Sequence, residues 1–243
     1  MIILGVGLRR CGNHFLQHWL MSHYRERFVH FDGLTKGGKS IWDRKSATEV
    51  FEGGKQLTGK VRAQAVQEIM DSKSVGDAHS MFTFEDLSTA DAWGRYKEVG
   101  PGFPSLFLTF NRSIHNLWAS RHMRQFNSDG SVNSFHAGNM KNSRTEPLWV
   151  DHITASGPWE RLKYDRLVRS SSAREKMANR LCLPYVSNFD LDFVPKNGNG
   201  SSFSQRKKKG SEMRVLDRHK EVNAPEFSDE VNLLMNAEFG GLR

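Results

Sequence analysis

Cysteine is scarce in this chain. Two occur in 243 residues, Cys11 and Cys182, with no metal-type spacing between them. That excludes a disulfide framework and a cysteine zinc site, and it sets the expectation of reduced thiols in a cytoplasmic protein. Long apolar runs are lacking too. No stretch reaches the roughly 18 apolar residues of a membrane helix, so the chain is not expected to be an integral membrane protein. The amino end has none of the basic, apolar and small-residue regions of a secretory signal. Acidic residues number 27 against 35 basic ones, leaving a net charge of +8. The surplus favours an anionic partner without choosing among nucleotide, nucleic acid, glycan or membrane surface. Hydrophobic content is low at 37%, yet above what a disordered chain offers, and no internal repeat breaks the reading of residues 1–243 as one domain.

What is present is an alternation of strand and helix patterns. The apolar run Met1-Ile2-Ile3-Leu4-Gly5-Val6 suits a strand buried on both faces. FLQHWLMSHY carries Phe15, Leu16, Trp19 and Leu20 at helical spacing, and Arg27 to Phe31 reads as a second strand. Gly33 to Lys60 reads as a loop with one short helix, Val61 to Met70 as a helix, and Val75 to Phe82 as a strand. Phe84 to Val99 reads as a helix with its connection, and Ser105 to Phe110 as an interior strand feeding a helix with Ile114, Leu117, Trp118 and Met123. Phe126 to Pro147 is loop-like and suits a lid. Trp159 to Val168 reads as helix then strand, and Ala173 to Leu181 as a helix stopped by Pro184. Asn197 to Gly210 reads as a flexible basic stretch, and the last thirty residues read as helical. The fold class expected is α/β, three layers with a mostly parallel central sheet flanked by helices.

Two stretches compete as phosphate loops. GLTKGGKS, Gly33 to Ser40, matches the Walker A pattern, in which loop amides wrap phosphates, lysine neutralises them and a hydroxyl holds Mg²⁺. Its setting is poor, because the helix that should follow has a weak apolar face. GLRRCGNH, Gly7 to His14, keeps the G-x-x-x-x-G frame between the best strand and the best helix. Asn13 and His14 stand where Lys-Ser/Thr would be, and Arg10 supplies a cation inside the loop. The residues alone equally allow a glycine-bearing strand-to-helix turn with solvated arginines.

Separated segments give the chain a resemblance to the sulfotransferases that use 3′-phosphoadenosine 5′-phosphosulfate (PAPS), whose fold is P-loop-like. Arg10-Cys11-Gly12-Asn13-His14-Phe15 resembles the 5′-phosphosulfate loop, with the cation, the glycine and an adenine-packing aromatic in place. Cys11, Asn13 and His14 depart from the family's serine and hydroxyl residues. LFLTFNRSIHNLWAS supplies Arg112 and, eight residues later, Ser120, which resemble the 3′-phosphate pair. LKYDRL places Tyr164 where the family contacts the adenine side, and QRKKKGSEM offers Arg206, Lys207, Lys208 and Gly210 for a loop closing over the 3′-phosphate.

The resemblance implies sulfuryl transfer from PAPS to a hydroxyl or amine, leaving adenosine 3′,5′-bisphosphate and needing no metal. Arg9, Arg10 and the loop amides neutralise the donor, with Arg10 at the bridging oxygen. His79 is the expected general base, with Glu85 and Asp86 as carboxylate alternatives. A small-molecule, lipid or glycan acceptor is expected and no stable nucleic-acid complex, with oligomeric state left open. Two other readings stand beside this one. The chain could be a nucleotide or small-molecule kinase using Gly33 to Ser40, or a basic nucleic-acid-binding protein using the Arg206 to Lys209 run.

Overall fold

The computed structural model describes residues 1–34, 47–73, 75–124, 131, 142–184, 189, 216–222 and 226–240. The apolar run near the amino end forms β1 (Ile2–Gly7), and the loop after it leads into α1 (Asn13–Met21). Then come β2 (Phe28–Leu34), β3 (Ala47–Glu52), β4 (Lys55–Gln56), α2 (Gly59–Ser72), β5 (His79–Glu85) and α3 (Thr89–Val99). The second half supplies β6 (Leu106–Asn111), α4 (Ile114–Arg124), α5 (Asn142–Thr154), β7 (Trp159–Lys163), α6 (Tyr164–Arg169), α7 (Ser171–Arg180) and α8 (Asp229–Phe239). A short 3₁₀ turn covers Arg218–Glu221.

The seven strands make one sheet in the order β4-β3-β2-β5-β1-β6-β7. From β2 to β7 all neighbours run parallel, while β3 and β4 add an antiparallel edge. Chain leaves β1 toward β2 on one side and β6 toward β7 on the other. This reversal opens a crevice at the carboxyl ends of β1 and β6, where open α/β sheets bind ligands.

Strand alternation builds two cores. Leu4, Val6, Val29, Phe31, Phe82 and Phe84 face α2 and α3, meeting Ile69, Met70, Ala92 and Tyr96. Ile3, Met81, Phe28 and Leu108 face the other way, under Leu16, Trp19 and Leu20 of α1 and Ile114 and Leu117 of α4. Gly5 belongs to this second face. A Cβ there would lie 2.7 Å from Phe110 Cζ, so glycine lets that ring lie over β1.

The α1 face changes character along its length. At the amino ends it is apolar, with Phe28, Phe51, Met81 and Ile3. Toward the carboxyl ends the same face carries His30 and Asp32 on β2, Glu49 on β3, and Thr83 and Glu85 on β5. His30 and Thr83 are fully buried and Glu49 nearly so.

Several expectations need correction. The Gly33 to Lys60 segment contains β3 and β4 among its described residues, and 35–46, where the short helix could fall, lie outside them. The third parallel strand occupies His79–Glu85, not Val75 to Phe82, and Trp159 to Val168 is strand then helix, not the reverse. The carboxyl part of the expected lid is helical from Asn142, with Pro147 inside α5. Most of the lid and the basic Asn197 to Gly210 stretch lie outside the described residues. Among the described residues no helix is long and apolar enough to cross a membrane.

Candidate functional site

The loop from Gly7 to Asn13 is bent by two left-handed residues, Arg10 at φ 76° and Gly12 at φ 92°. Gly12 is the N-cap of α1 and offers no side chain to cap it, so the first-turn amides point out of the loop uncapped. A Cβ on Gly12 would sit 2.1 Å from the Tyr164 ring, so this position excludes any side chain twice over.

Two buried arginines fix the loop from behind. Arg112, at the end of β6 and 2% exposed, donates from Nη1 to the Arg10 carbonyl at 3.1 Å and to Ser120 Oγ at 3.3 Å. Its guanidinium stacks 4.9 Å over the Tyr164 ring. Arg121 of α4 donates to the Arg9 carbonyl at 3.4 Å and to Asp86 Oδ1 at 2.9 Å. These contacts turn the Arg9 and Arg10 carbonyls toward guanidinium groups, while the Arg9 amide donates to Asp86 Oδ1 and the Cys11 amide to the Leu8 carbonyl.

The remaining loop side chains meet β5 and β2. The Arg9 amide donates to Asp86 Oδ1 at 3.1 Å, and Arg9 Nε lies 3.2 Å from Glu85 Oε2. Asn13 Nδ2 donates to Glu85 Oε1 at 3.0 Å, and the Cys11 thiol donates to Asn13 Oδ1 at 2.6 Å. Burial pushes the Cys11 thiol well up, so it is a packed hydrogen-bond donor and not a nucleophile. Burial, with the neighbouring Asp32 charge, also raises Glu85. His14 Nδ1 lies 3.8 Å from Asp32 Oδ2. Phe15 packs edge-on against Tyr164, with centroids 5.3 Å apart.

Behind these lies a buried polar chain. His30 donates from Nε2 to Thr83 Oγ1 at 2.9 Å and from Nδ1 to Glu49 Oε2 at 3.0 Å, and Thr83 donates to Asp32 Oδ1 at 3.0 Å. Burial lowers the imidazole of His30, but the Glu49 hydrogen bond and the Asp32 and Glu49 charges outweigh it and the net direction is up. Burial raises Glu49 in turn, and the His30 contacts overcome that and hold it below its usual value.

Arg9, Arg10, Cys11, Gly12, Asn13, His14, Phe15, Arg112, Ser120 and Tyr164 therefore come together at one end of the sheet. His79 does not. It begins β5, pairs across from Phe28, and has Nδ1 3.1 Å from the Met1 amino group. Six residues of strand at about 3.3 Å each separate it from the loop end of the sheet. Misplacing the strand start by four residues gave it the wrong end, and Glu85 holds the place expected of it. Arg206, Lys207, Lys208 and Gly210 lie outside the described residues, as does most of Gly33 to Ser40. Gly33 and Leu34 themselves close β2. Leu216, the first described residue after the basic stretch, accepts at its carbonyl from Asn116 Nδ2 of α4 at 2.7 Å.

Arg121, Asp32 and Glu49 escaped the sequence reading. Arg121 carried a usable signal, since it falls four residues after Leu117 on the buried face of its helix, where a charge needs a partner.

No protein-family model matches the sequence, and no curated protein matches it. In three dimensions the chain is similar to the sulfotransferase domain of the Synechococcus PCC 7002 olefin synthase. The TM-score is 0.53 at 11% identity, over 99% of this chain and 94% of that one. The likeness is one of fold. A sugar kinase from Janibacter sp. HTCC2649 aligns over 75% of this chain and 95% of its own at 14% identity, but a TM-score of 0.39 carries no argument. The chain thus has an α/β fold with a seven-stranded mixed sheet, like that of a sulfotransferase domain.

Proposed function

We propose that the chain is a sulfotransferase that takes a sulfuryl group from PAPS and places it on a hydroxyl or amine acceptor. One observation carries this reading. Arg112 joins the Arg10 carbonyl to Ser120, so the segments resembling the family's 5′- and 3′-phosphate sites meet at the crevice although a hundred residues separate them. Bound there, PAPS would supply the sulfuryl group for in-line transfer to the acceptor.

The residues present fit such a donor. Uncapped first-turn amides of α1 and the Arg10 side chain receive the 5′-phosphosulfate and stabilise charge arriving on the bridging oxygen. Phe15 and Tyr164 offer the adenine an aromatic wall. Arg112 is almost wholly buried, so a 3′-phosphate reaches it by replacing the Arg10 carbonyl or the Ser120 hydroxyl among its partners. The Arg206 to Gly210 run is the further 3′-phosphate candidate, upstream of the anchor at Leu216. His14 stands where a Walker A loop has its Mg²⁺-binding hydroxyl, which supports a metal-independent reaction. A proton acceptor is still needed, and among the described residues the groups at the carboxyl end of β5 and in the loop are the nearby candidates. A cytoplasmic enzyme with a small-molecule, lipid or glycan acceptor is the setting this reading assumes.

Thermal stabilisation separates the readings, because a ligand of the folded state raises the unfolding midpoint. Adenosine 3′,5′-bisphosphate in EDTA is expected to raise it, and ATP with Mg²⁺ or a generic oligonucleotide much less. A clear ATP–Mg²⁺ shift with none from the bisphosphate would favour the kinase reading through Gly33 to Ser40.

A further inference from the structure

Sulfuryl transfer leaves the acceptor's proton to be collected, and the carboxylates beside the loop are poorly placed to do it. Glu85 presents Oε2 to Arg9 and Oε1 to Asn13. Asp86 presents Oδ1 to the Arg9 amide and Arg121, and Oδ2 to Arg9 Nε at 3.5 Å. All four oxygens thus already face a donor, so an acceptor hydroxyl would have to compete with Arg9, Asn13 or Arg121 for them.

His14 is placed differently. Its Nδ1 faces Asp32 at 3.8 Å, and its side chain is 30% exposed. Asp32 is itself fixed by the Thr83 hydroxyl, which in turn accepts from His30. Glu49 on β3 and Glu85 on β5 share the sheet face that carries Asp32. A neutral imidazole whose Nδ1–H faces a carboxylate carries its lone pair on Nε2. A lone pair repels phosphate oxygens and accepts protons, so His14 suits the acceptor side better than the donor phosphates.

We propose that His14, oriented by Asp32, is the general base for the acceptor. This rests on the sulfotransferase reading above. As the acceptor oxygen or nitrogen bonds to sulfur, its proton passes to His14 Nε2. The bond from sulfur to the bridging oxygen breaks, and its electron pair leaves on the phosphate. The imidazolium pairs with Asp32 and returns the proton to solvent across its exposed edge. Asp32 is a positioning residue, acting through the ring.

The test combines turnover, binding and spectroscopy on the full chain. Release of adenosine 3′,5′-bisphosphate from PAPS, with water as the acceptor, gives a rate without a known acceptor. His14→Gln is expected to lower kcat by at least about a hundredfold while its affinity for the bisphosphate stays within a few-fold of wild type. His14→Ala should regain turnover in proportion to added imidazole free base, which a purely structural role would not give. Imidazole ¹⁵N shifts, assigned by their loss in His14→Gln, should report the Nδ1–H tautomer in the wild type and a mixture in Asp32→Asn. Near wild-type kcat in His14→Gln, or a raised KM for PAPS with unchanged kcat, would overturn the assignment alone. Wild-type protein that neither binds the bisphosphate nor releases it from PAPS would overturn this proposal together with the reading beneath it.

Discussion

Replacing Gly12 with alanine tests the geometry of the loop at its tightest point. The backbone there sits at φ 92°, where a Cβ costs about 1–2 kcal/mol. The new carbon would also stand 2.1 Å from Tyr164 Cδ2, more than an ångström inside ordinary contact. The ring cannot swing away freely, because Arg112 stacks on it and Phe15 meets its edge. Overpacking of that kind costs about 1–3 kcal/mol. The two penalties together come to roughly 2–5 kcal/mol. For a chain of this size each kcal/mol moves the melting midpoint by about 2–4 °C, so a fall of at least about 4 °C is expected. Urea unfolding of Gly12→Ala in wild-type and Tyr164→Ala backgrounds separates the terms. Removing the ring should shrink the glycine penalty to its backbone part of about 1–2 kcal/mol. An equal penalty in both backgrounds, or one below about 0.5 kcal/mol in the wild type, would refute the packing argument.

Arg112→Met removes the clamp on the Arg10 carbonyl and a charge-assisted partner for phosphate. Calorimetry should show bisphosphate affinity reduced by roughly ten- to a hundredfold. His79→Ala should leave PAPS turnover at the wild-type level, since the ring lies at the far end of β5 against Met1. A loss of activity with intact folding would return His79 to the site. The His30–Glu49 pair makes stability depend on pH. His30 is held above its ordinary 6.5, so its contribution is complete below pH 6.5 and is lost as pH rises through the folded value. Glu49 is held below its ordinary 4.5, so its contribution is complete above pH 4.5 and is lost as pH falls through the folded value. Urea midpoints of the wild type should therefore decline above pH 6.5, and His30→Gln should flatten that decline.

The parts of the fold legible in the sequence were those with strong local signals. Buried strands such as Ile2–Gly7 and Leu106–Asn111 are continuous apolar runs, and α1 and α4 carry clear helical stripes. The loop from Gly7 to Asn13 was legible because a glycine frame sits between such a strand and helix. The edge hairpin of β3 and β4 was not, since an antiparallel edge strand such as Ala47–Glu52 mixes Thr, Glu, Val and Phe without a long apolar run. The base assignment failed on a boundary. His79-Ser80-Met81-Phe82-Thr83-Phe84-Glu85 has its polar residues at both ends, and nothing local says which end meets the loop. Only pairing of Gly7 with Glu85 across parallel strands decides it. The Asp32–Thr83–His30–Glu49 chain joins three strands and exists only through the sheet register.

A crystal structure of the protein with adenosine 3′,5′-bisphosphate, grown in EDTA, reaches the central claim most directly. The account predicts the 5′-phosphate against the amides that open α1, the adenine beside Phe15 and Tyr164, and the 3′-phosphate at Arg112 and Ser120. The nucleotide seated instead against Gly33 to Ser40, or bound only when a divalent ion is restored, would contradict it.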